Sequence, residues 1–282
     1  MTQARLMDGT ALARRIVGDT AAKAADLTAR TGGAPCLATV LVGEDPASVT
    51  YVRMKQNRCR EAGVASRHVA LPAATTTAEL VRTLRELSDD PGVHGILLQH
   101  PMGEHIDERA AFEAIAPQKD VDGVTFASFA TMSFGLPGLV SCTPGGILRL
   151  LDEYGVDPAG KRAVVVGRSA ILGKPVGMLL LARDATVTYC HSRTADLSAA
   201  VREADIVVVA VGRPRLIRGQ DIKPGAVVID AGYNAGNVGD VDFDSAVERA
   251  SLITPVPGGV GPMTIATLLE QTVEAAARQL GA

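Results

Sequence analysis

Apolar and polar residues follow two alternating rhythms in the first part of the chain. Apolar residues recur at helical spacing in four segments that we predict to be helices: 11–30, 47–63, 77–88 and about 107–115. Between them, short runs rich in β-branched residues predict three strands: 36–43, 66–71 and 93–99. Helices that alternate with strands predict an α/β unit built on a mainly parallel sheet.

The rhythm breaks at 117–146, which is rich in Gly, Pro and Asp, and we place a junction between two lobes there. Four β-rich runs then predict a Rossmann-like, doubly wound sheet: 161–167, 185–190, 205–212 and 226–232. The last segment has Pro262 in its first turn and apolar residues at helical spacing, which predicts a helix that returns to the first lobe. We therefore predict one domain of residues 1–140, completed by 262–282, and a second of residues 141–261.

Composition and charge narrow the range of partners. Hydrophobic residues make up 47% of the 282 residues but aromatic residues only 3%, so the core is expected to consist of Ala, Val, Leu and Ile. Few aromatic residues and a formal charge of -3 argue against nucleic-acid binding. No stretch reaches the roughly 20 apolar residues of a membrane span, and the first residues lack the apolar run of a secretion signal. We expect a cytoplasmic protein without a membrane partner, and no metal site, because the four cysteines are far apart.

A glycine-rich turn follows the first strand of the second lobe. Gly167 and Gly173 frame the turn, Arg168 and Ser169 lie between them, and a helix is predicted to begin there. Free backbone N–H groups at a helix start can bind a pyrophosphate. The spacing departs from GxGxxG because Ser169 stands at the second glycine, so a plain strand-to-helix turn is the alternative interpretation.

The end of the next strand indicates which dinucleotide binds. An NAD site places Asp or Glu there to bind the ribose hydroxyl groups. The residues in this chain are instead polar or basic: His191, Ser192, Arg193 and Thr194. Arg and Ser donors suit a 2′-phosphate, which a carboxylate would repel, so the sequence favours NADP. The alternative is that Arg168 and Arg193 are solvated surface charges.

Lys55 interrupts an apolar stripe on the second predicted helix, where Tyr51, Lys55 and Cys59 recur at spacings of four. A lysine whose stem packs while its amine reaches water is the ordinary interpretation. In a partly dry cleft, burial would instead lower its pKa and make it usable as an acid or base near neutrality. Gln99 ends the third predicted strand, at the carboxyl edge where α/β sheets place ligands.

Two further segments carry candidate ligand-binding groups. Asp120 and Asp122 lie in KDVDG, which is typical either of a turn with self-bonding carboxylates or of a site for a ligand with adjacent N–H donors. The segment 254–264 places three Pro and three Gly in a rigid loop that can approach a flat ligand, and either X-Pro bond before its glycine pair can be cis.

Nine motifs occur in order between residues 40 and 264: YxxxK, GILLQxP, KDVDG, CTP, VVVGRS with GKP, TVTxCHSRT, IKPGAVVID, GDVDF and ITPVPGGVGPMT. Together they resemble the bifunctional methylenetetrahydrofolate dehydrogenase/methenyltetrahydrofolate cyclohydrolase family over nearly the whole chain. His100, Met102 and Ser141 depart from the family pattern, as does AGYN at 231–234.

The resemblance implies NADP-dependent oxidation of 5,10-methylenetetrahydrofolate and hydrolysis of the methenyl product to 10-formyltetrahydrofolate, with a place in purine biosynthesis. It implies that Lys55 is the catalytic lysine, Tyr51 positions the substrate, Gln99 tunes the lysine and Asp122 binds the pterin. Residues expected at the dinucleotide are Gly167, Arg168, Ser169, Gly173, Ser192, Arg193, Thr194 and Tyr233. Residues expected at the folate are Tyr51, Asp122, Pro257, Gly258 and Gly259. A homodimer is expected by resemblance alone.

Two other functions stay open. One is a dehydrogenase that has lost the cyclohydrolase or prefers NAD. The presence of Lys55 and Gln99 disfavours the loss, and Ser192 and Arg193 disfavour NAD. The other is an NADP-binding sensor without turnover, which the complete set of catalytic candidates disfavours.

Overall fold

The structure is a computed structural model that describes residues 3–43 and 46–282, with side chains described for 3–43 and 54–282. The chain divides into two compact units, which we name after their sheets. The three-stranded unit comprises Arg14–Thr131, Pro137–Val140 and Ile265–Ala282. The six-stranded unit comprises the N-terminal residues through Ala13, Met132–Leu136 and Ser141–Thr264.

Helices and strands alternate along most of the chain. The strands in the described ranges are β1 (Arg5–Leu6), β2 (Cys36–Val42), β3 (Ala65–Leu71), β4 (Gly95–Leu98), β5 (Arg162–Val166), β6 (Thr186–Cys190), β7 (Ile206–Val209), β8 (Val227–Asp230) and β9 (Leu252–Ile253). The α-helices are α1 (Gly9–Thr31), α2 (Pro46–Glu61), α3 (Thr77–Asp89), α4 (Glu108–Phe112), α5 (Phe126–Ser133), α6 (Cys142–Glu153), α7 (Gly173–Leu181), α8 (Leu197–Arg202), α9 (Phe243–Ala246) and α10 (Val260–Leu280). Short 3-10 turns lie at Pro117–Lys119 and Gly219–Asp221.

The three-stranded unit is built on a parallel sheet with the order β3-β2-β4. Every residue of β4, and every residue of β2 after Cys36, is buried, as expected for parallel strands covered on both faces. Gly95 begins β4 where no side chain fits, because a Cβ there would lie 2.8 Å from both Cγ atoms of Val121. The segment around Val121 is thereby packed directly against the start of the strand.

The six-stranded unit is also parallel, with the order β1-β9-β8-β7-β5-β6. In register, Val166 pairs with both Cys190 and Val209, and Val209 pairs with Asp230. The carboxyl ends of β5, β6, β7 and β8 are therefore level with one another. The core is aliphatic, as the composition predicts, and includes Val164, Val166, Val207, Val209, Val228 and Ile253. A ligand at this edge would meet four loops at once.

The two-lobed α/β fold with a Rossmann-like second lobe and a returning last helix is confirmed, since α10 joins the three-stranded unit from Ile265 onward. The two compact units differ from the predicted domains in where the N-terminal residues lie. Residues through Ala13 belong to the six-stranded unit because β1 pairs in parallel with β9, with Arg5 opposite Leu252. The segment 117–146 also contains helical structure, namely α5 and the start of α6.

The cysteines and acidic residues of the described ranges form no disulfide and no group of three that could hold a metal ion. All four cysteines are free thiols. In that part of the chain, no three His, Cys, Asp or Glu side chains gather as a metal ion would require. Across the same residues, no helix is long and apolar enough to cross a membrane.

Candidate active site

The lysine on α2 is buried and faces an amide. Lys55 is only 7% exposed and lies one turn before the buried Cys59. Its Nζ donates to Oε1 of Gln99 at 3.0 Å. Gln99 follows β4 and donates its Nε2 to the carbonyl of His100 at 2.8 Å, which turns Oε1 toward the lysine. The amine is thus held against an amide oxygen within the three-stranded unit. Tyr51 lies one turn earlier on α2, and its side chain falls outside the described residues.

The two carboxylates of KDVDG differ in burial. Asp120 is fully buried and accepts from the N–H groups of Val124 at 3.1 Å and Thr125 at 2.9 Å, and from Oγ of Ser128 at 2.6 Å. These bonds close the turn that leads into α5, so Asp120 is a structural residue. Asp122 is half-buried. It stays the predicted ligand-binding carboxylate of this pair.

The proline- and glycine-rich loop is anchored by the start of α1. The peptide bond before Pro257 is cis. The carbonyl of Gly258 accepts from the backbone N–H of Thr10 at 3.0 Å and from its Oγ1 at 3.3 Å. A Cβ on Gly259 would lie 2.6 Å from the carbonyl oxygen of Pro255. The loop therefore has a fixed backbone course within the six-stranded unit.

The glycine turn after β5 is tight because backbone passes close to backbone. Gly167 has φ 134°, and a Cβ there would lie 2.4 Å from the carbonyl oxygen of Ala210. A Cβ on Gly173 would lie 2.6 Å from Gly167. Oγ of Ser169 accepts from the N–H groups of Leu172 at 3.2 Å and Gly173 at 3.1 Å. The serine at the second glycine position thus occupies two backbone amides at the start of α7 that were expected to face a phosphate.

The turn after β6 presents its donors outward. The N–H of Thr194 donates to the carbonyl of His191 at 2.9 Å, and the N–H of His191 donates to Oγ1 of Thr194 at 2.9 Å. This closed turn leaves Ser192 and Arg193 exposed between them, next to the exposed Arg168 that follows β5. The first carboxylate after the strand is Asp196, whose Oδ1 accepts from the N–H of Ala199 at 2.8 Å as the cap of α8.

Tyr233 completes the set at the carboxyl edge of the six-stranded sheet. It follows β8, is 70% exposed, and donates its hydroxyl to Oδ1 of Asn237 at 2.6 Å. Each residue expected at the dinucleotide therefore belongs to one sheet edge. Lys55, Gln99 and Asp122, in contrast, belong to the three-stranded unit, whereas Pro257, Gly258 and Gly259 belong to the six-stranded unit.

Comparisons with known proteins cover nearly the whole chain. The family model described as tetrahydrofolate dehydrogenase/cyclohydrolase, catalytic domain, matches residues 7–122, and the model for the NAD(P)-binding domain of the same family matches residues 141–280. The chain belongs to this family. The resemblance drawn from the motifs is confirmed.

Individual members of the family are similar over their full lengths. The bifunctional protein FolD 1 of Streptomyces avermitilis is 81% identical over 278 residues, covering 99% of this chain and 97% of that protein. A crystal structure of the bifunctional enzyme FolD from Campylobacter jejuni has a TM-score of 0.95 at 43% identity, covering 98% of this chain and 99% of that one. The dehydrogenase-cyclohydrolase of Trypanosoma brucei, complexed with NADP cofactor and inhibitor, has a TM-score of 0.96 at 40% identity, covering both chains fully.

Two buried carboxylates in family motifs escaped the sequence reasoning. Asp240 accepts from the N–H groups of Val211 at 2.7 Å and Gly212 at 2.9 Å, just after β7. Asp230, at the end of β8, accepts from the N–H groups of Gly232 at 2.9 Å and Asp240 at 3.0 Å, and burial raises its pKa to about 6. The pair fixes the loops after β7 and β8. Their motifs, IKPGAVVID and GDVDF, were recognised, but spacing alone assigns them no role.

Gln271 on α10 was also missed. Its side chain bonds to backbone on both sides of the predicted junction, at Val121 and Val140. The apolar spacing of α10 reveals which face is buried, but it cannot distinguish a buried glutamine with backbone partners from a polar residue at the edge of the stripe.

Proposed function

We propose that this protein oxidises 5,10-methylenetetrahydrofolate with NADP and hydrolyses the resulting 5,10-methenyltetrahydrofolate to 10-formyltetrahydrofolate. The observation that carries the proposal is the buried amine of Lys55, held by the amide of Gln99 in a chain of this family. Two similar proteins support it by their names. The Streptomyces avermitilis protein is called bifunctional, and the Trypanosoma brucei enzyme was solved with NADP.

The donor set at the carboxyl edge of the six-stranded sheet fits NADP. Arg168, Ser192 and Arg193 are exposed after two neighbouring strands, and the nearest following carboxylate is engaged as a helix cap. Guanidinium and hydroxyl groups bind phosphate oxygens well, whereas an NAD site would need a carboxylate acceptor for the ribose hydroxyl groups. Arg168, Ser192 and Arg193 would hold the 2′-phosphate. Bound NADP supplies the hydride acceptor for the oxidation step.

Lys55 is the proton acceptor of the hydrolytic step. Burial disfavours the charged form of an amine, and the uncharged amine is the form that can accept a proton. The oxygen of a water molecule bonds to the methenyl carbon while one of its protons passes to Nζ. The remaining hydroxyl proton goes to N5 of the pterin as the bond between that carbon and N5 breaks, which leaves the formyl group on N10. Nζ then releases its proton to solvent.

Gln99 and Asp122 fix the participants. The Oε1 of Gln99 is committed to the lysine because its Nε2 is already bonded to the carbonyl of His100. A carboxylate suits the adjacent amino and ring N–H groups of a pterin, so Asp122 would orient the substrate. Tyr51 is proposed to position the ring system, and Pro257, Gly258 and Gly259 to line the folate site.

The proposal includes the oligomeric state of the protein, its compartment and the use of its product. The protein acts as a homodimer in the cytoplasm, without nucleic-acid or membrane partners, and its 10-formyl product serves purine biosynthesis. The dimer follows from the resemblance to the family, and light scattering of the purified protein tests it. The absence of nucleic-acid binding is consistent with the formal charge of -3.

Absorbance measurements with the purified protein test the catalytic proposal. Methylenetetrahydrofolate and NADP should give reduced dinucleotide together with a methenyl species that decays, and methenyltetrahydrofolate supplied directly should be hydrolysed. Failure to reduce either dinucleotide would contradict the oxidation step. Methenyl that persists at its uncatalysed rate would instead indicate a monofunctional dehydrogenase, and faster reduction of NAD would overturn the assignment of NADP.

A further inference from the structure

Gln271 is a buried polar residue on α10 that connects two backbone segments of the three-stranded unit. It is 6% exposed. Its Nε2 donates to the carbonyl of Val121 at 2.9 Å and to the carbonyl of Val140 at 2.8 Å. Its Oε1 accepts from the N–H of Val140 at 2.8 Å. One amide thus holds two loops against the last helix.

The segment at Val121 is fixed by side-chain packing as well as by this bond. Val121 is fully buried, and Gly95 lacks a side chain because both Cγ atoms of Val121 occupy that space. Asp122 follows directly in the chain, and the turn continues through Gly123 at φ 67°. The backbone that aims the carboxylate of Asp122 is therefore set by Val121, and the carbonyl of Val121 is set by Gln271.

We propose that Gln271 is a positioning residue that orients the pterin-binding carboxylate of Asp122 through the backbone of Val121. The inference rests on the proposed function, since it assumes that Asp122 binds the folate. Without the Nε2 donor, the buried carbonyls of Val121 and Val140 lose a partner, and the peptide between Val121 and Asp122 is no longer fixed in one orientation. Substrate affinity then falls while the dinucleotide site, in the other unit, keeps its geometry.

A second glutamine on the same helix provides a matched control. Nε2 of Gln279 donates to the carbonyls of His94 at 2.8 Å and Gln118 at 3.2 Å, so it also bridges two backbone segments of the three-stranded unit. Neither of those residues is adjacent to Asp122. Gln279→Met removes the same kind of bridge without freeing the peptide that carries the carboxylate.

Steady-state kinetics of the full-length protein test the inference. Gln271→Met should raise KM for methylenetetrahydrofolate by about tenfold, the effect of losing one well-placed hydrogen bond, and leave KM for NADP within about twofold. Gln279→Met should leave both KM values within about twofold. Calorimetry should show a matching loss in tetrahydrofolate affinity for Gln271→Met. Equal KM values for the two variants, or an equal rise in both KM values of Gln271→Met, would overturn the inference.

A double-mutant cycle distinguishes positioning from general loosening of the unit. If Gln271 acts through Asp122, Gln271→Met in an Asp122→Asn background should raise KM for the folate by less than about twofold further. Full additivity would overturn the inference. If Gln271→Met does not fold, Gln271→Glu replaces it, because a carboxylate still accepts from the N–H of Val140 but cannot donate to the carbonyls of Val121 and Val140. Absence of folate turnover in the unaltered protein would instead contradict the proposed function itself.

Discussion

Ser192 and Arg193 are the residues whose replacement should change dinucleotide choice most. Both are exposed at the carboxyl end of β6. Losing one charge-assisted hydrogen bond to a phosphate oxygen weakens binding by about 1.5 kcal/mol. Ser192→Ala combined with Arg193→Ala should therefore weaken NADP by roughly 3 kcal/mol, or about 100-fold in kcat/KM. NAD has no 2′-phosphate, so its kcat/KM should change by less than about threefold.

The measurement is kcat/KM for each dinucleotide at a saturating folate concentration and one fixed ionic strength. Arg162→Ala is the matched control because Arg162 begins β5, at the opposite edge of the same sheet, where it pairs with Glu203 at 2.7 Å. It removes the same charge without touching the proposed phosphate site. Equal losses for NADP and NAD in the double variant, or a loss for NADP in the control as large as in the double variant, would refute the reasoning.

The remaining predictions concern the three-stranded unit. Asp120→Ala should lower the free energy of unfolding in urea by about 3 kcal/mol, because buried donors lose their acceptor. Asp122→Asn should change that free energy by less than about 1 kcal/mol but raise KM for the folate about tenfold. Equal losses of stability in the two variants would contradict this assignment of roles. Burial raises the pKa of the Cys59 thiol to about 11. At pH 8 only about one thiol in a thousand is then ionised, so peptide mapping after iodoacetamide treatment should show Cys36 alkylated before Cys59, and the reverse order would contradict the burial of this helix face.

Strong periodic patterns made most of the fold predictable. β2 and α3 appear within a residue or two of the expected bounds, since a buried parallel strand and an amphipathic helix each leave a clear apolar signature. β1 and β9 have two residues each, too short for any periodicity, and their pairing is a long-range contact that no local pattern encodes. α6 begins with Cys142-Thr143-Pro144 followed by two glycines, and these residues are equally typical of a loop.

The residue types of the candidate site were predictable from the sequence, but the contacts that each residue makes were not. Spacing placed Lys55 on an apolar helix face, but whether its amine reached water or an amide depended on where β4 places Gln99. Both carboxylates of KDVDG were candidates, and only the three hydrogen bonds to Asp120 assign it to the turn. Gln271 was invisible because its partners are backbone carbonyls far away in sequence.

Hydrolysis of methenyltetrahydrofolate by Lys55→Met tests the role of the buried amine most directly. Lys119→Met is the matched control, because Lys119 is a second buried lysine of the same unit, whose Nζ donates to the backbone carbonyl of Asp90 at 2.7 Å. With circular dichroism showing both variants folded, Lys55→Met should lose hydrolysis by about 100-fold or more, the usual contribution of a general base, while Lys119→Met keeps it. Hydrolysis by Lys55→Met at the rate of the unaltered protein would contradict the assignment of this amine as the proton acceptor.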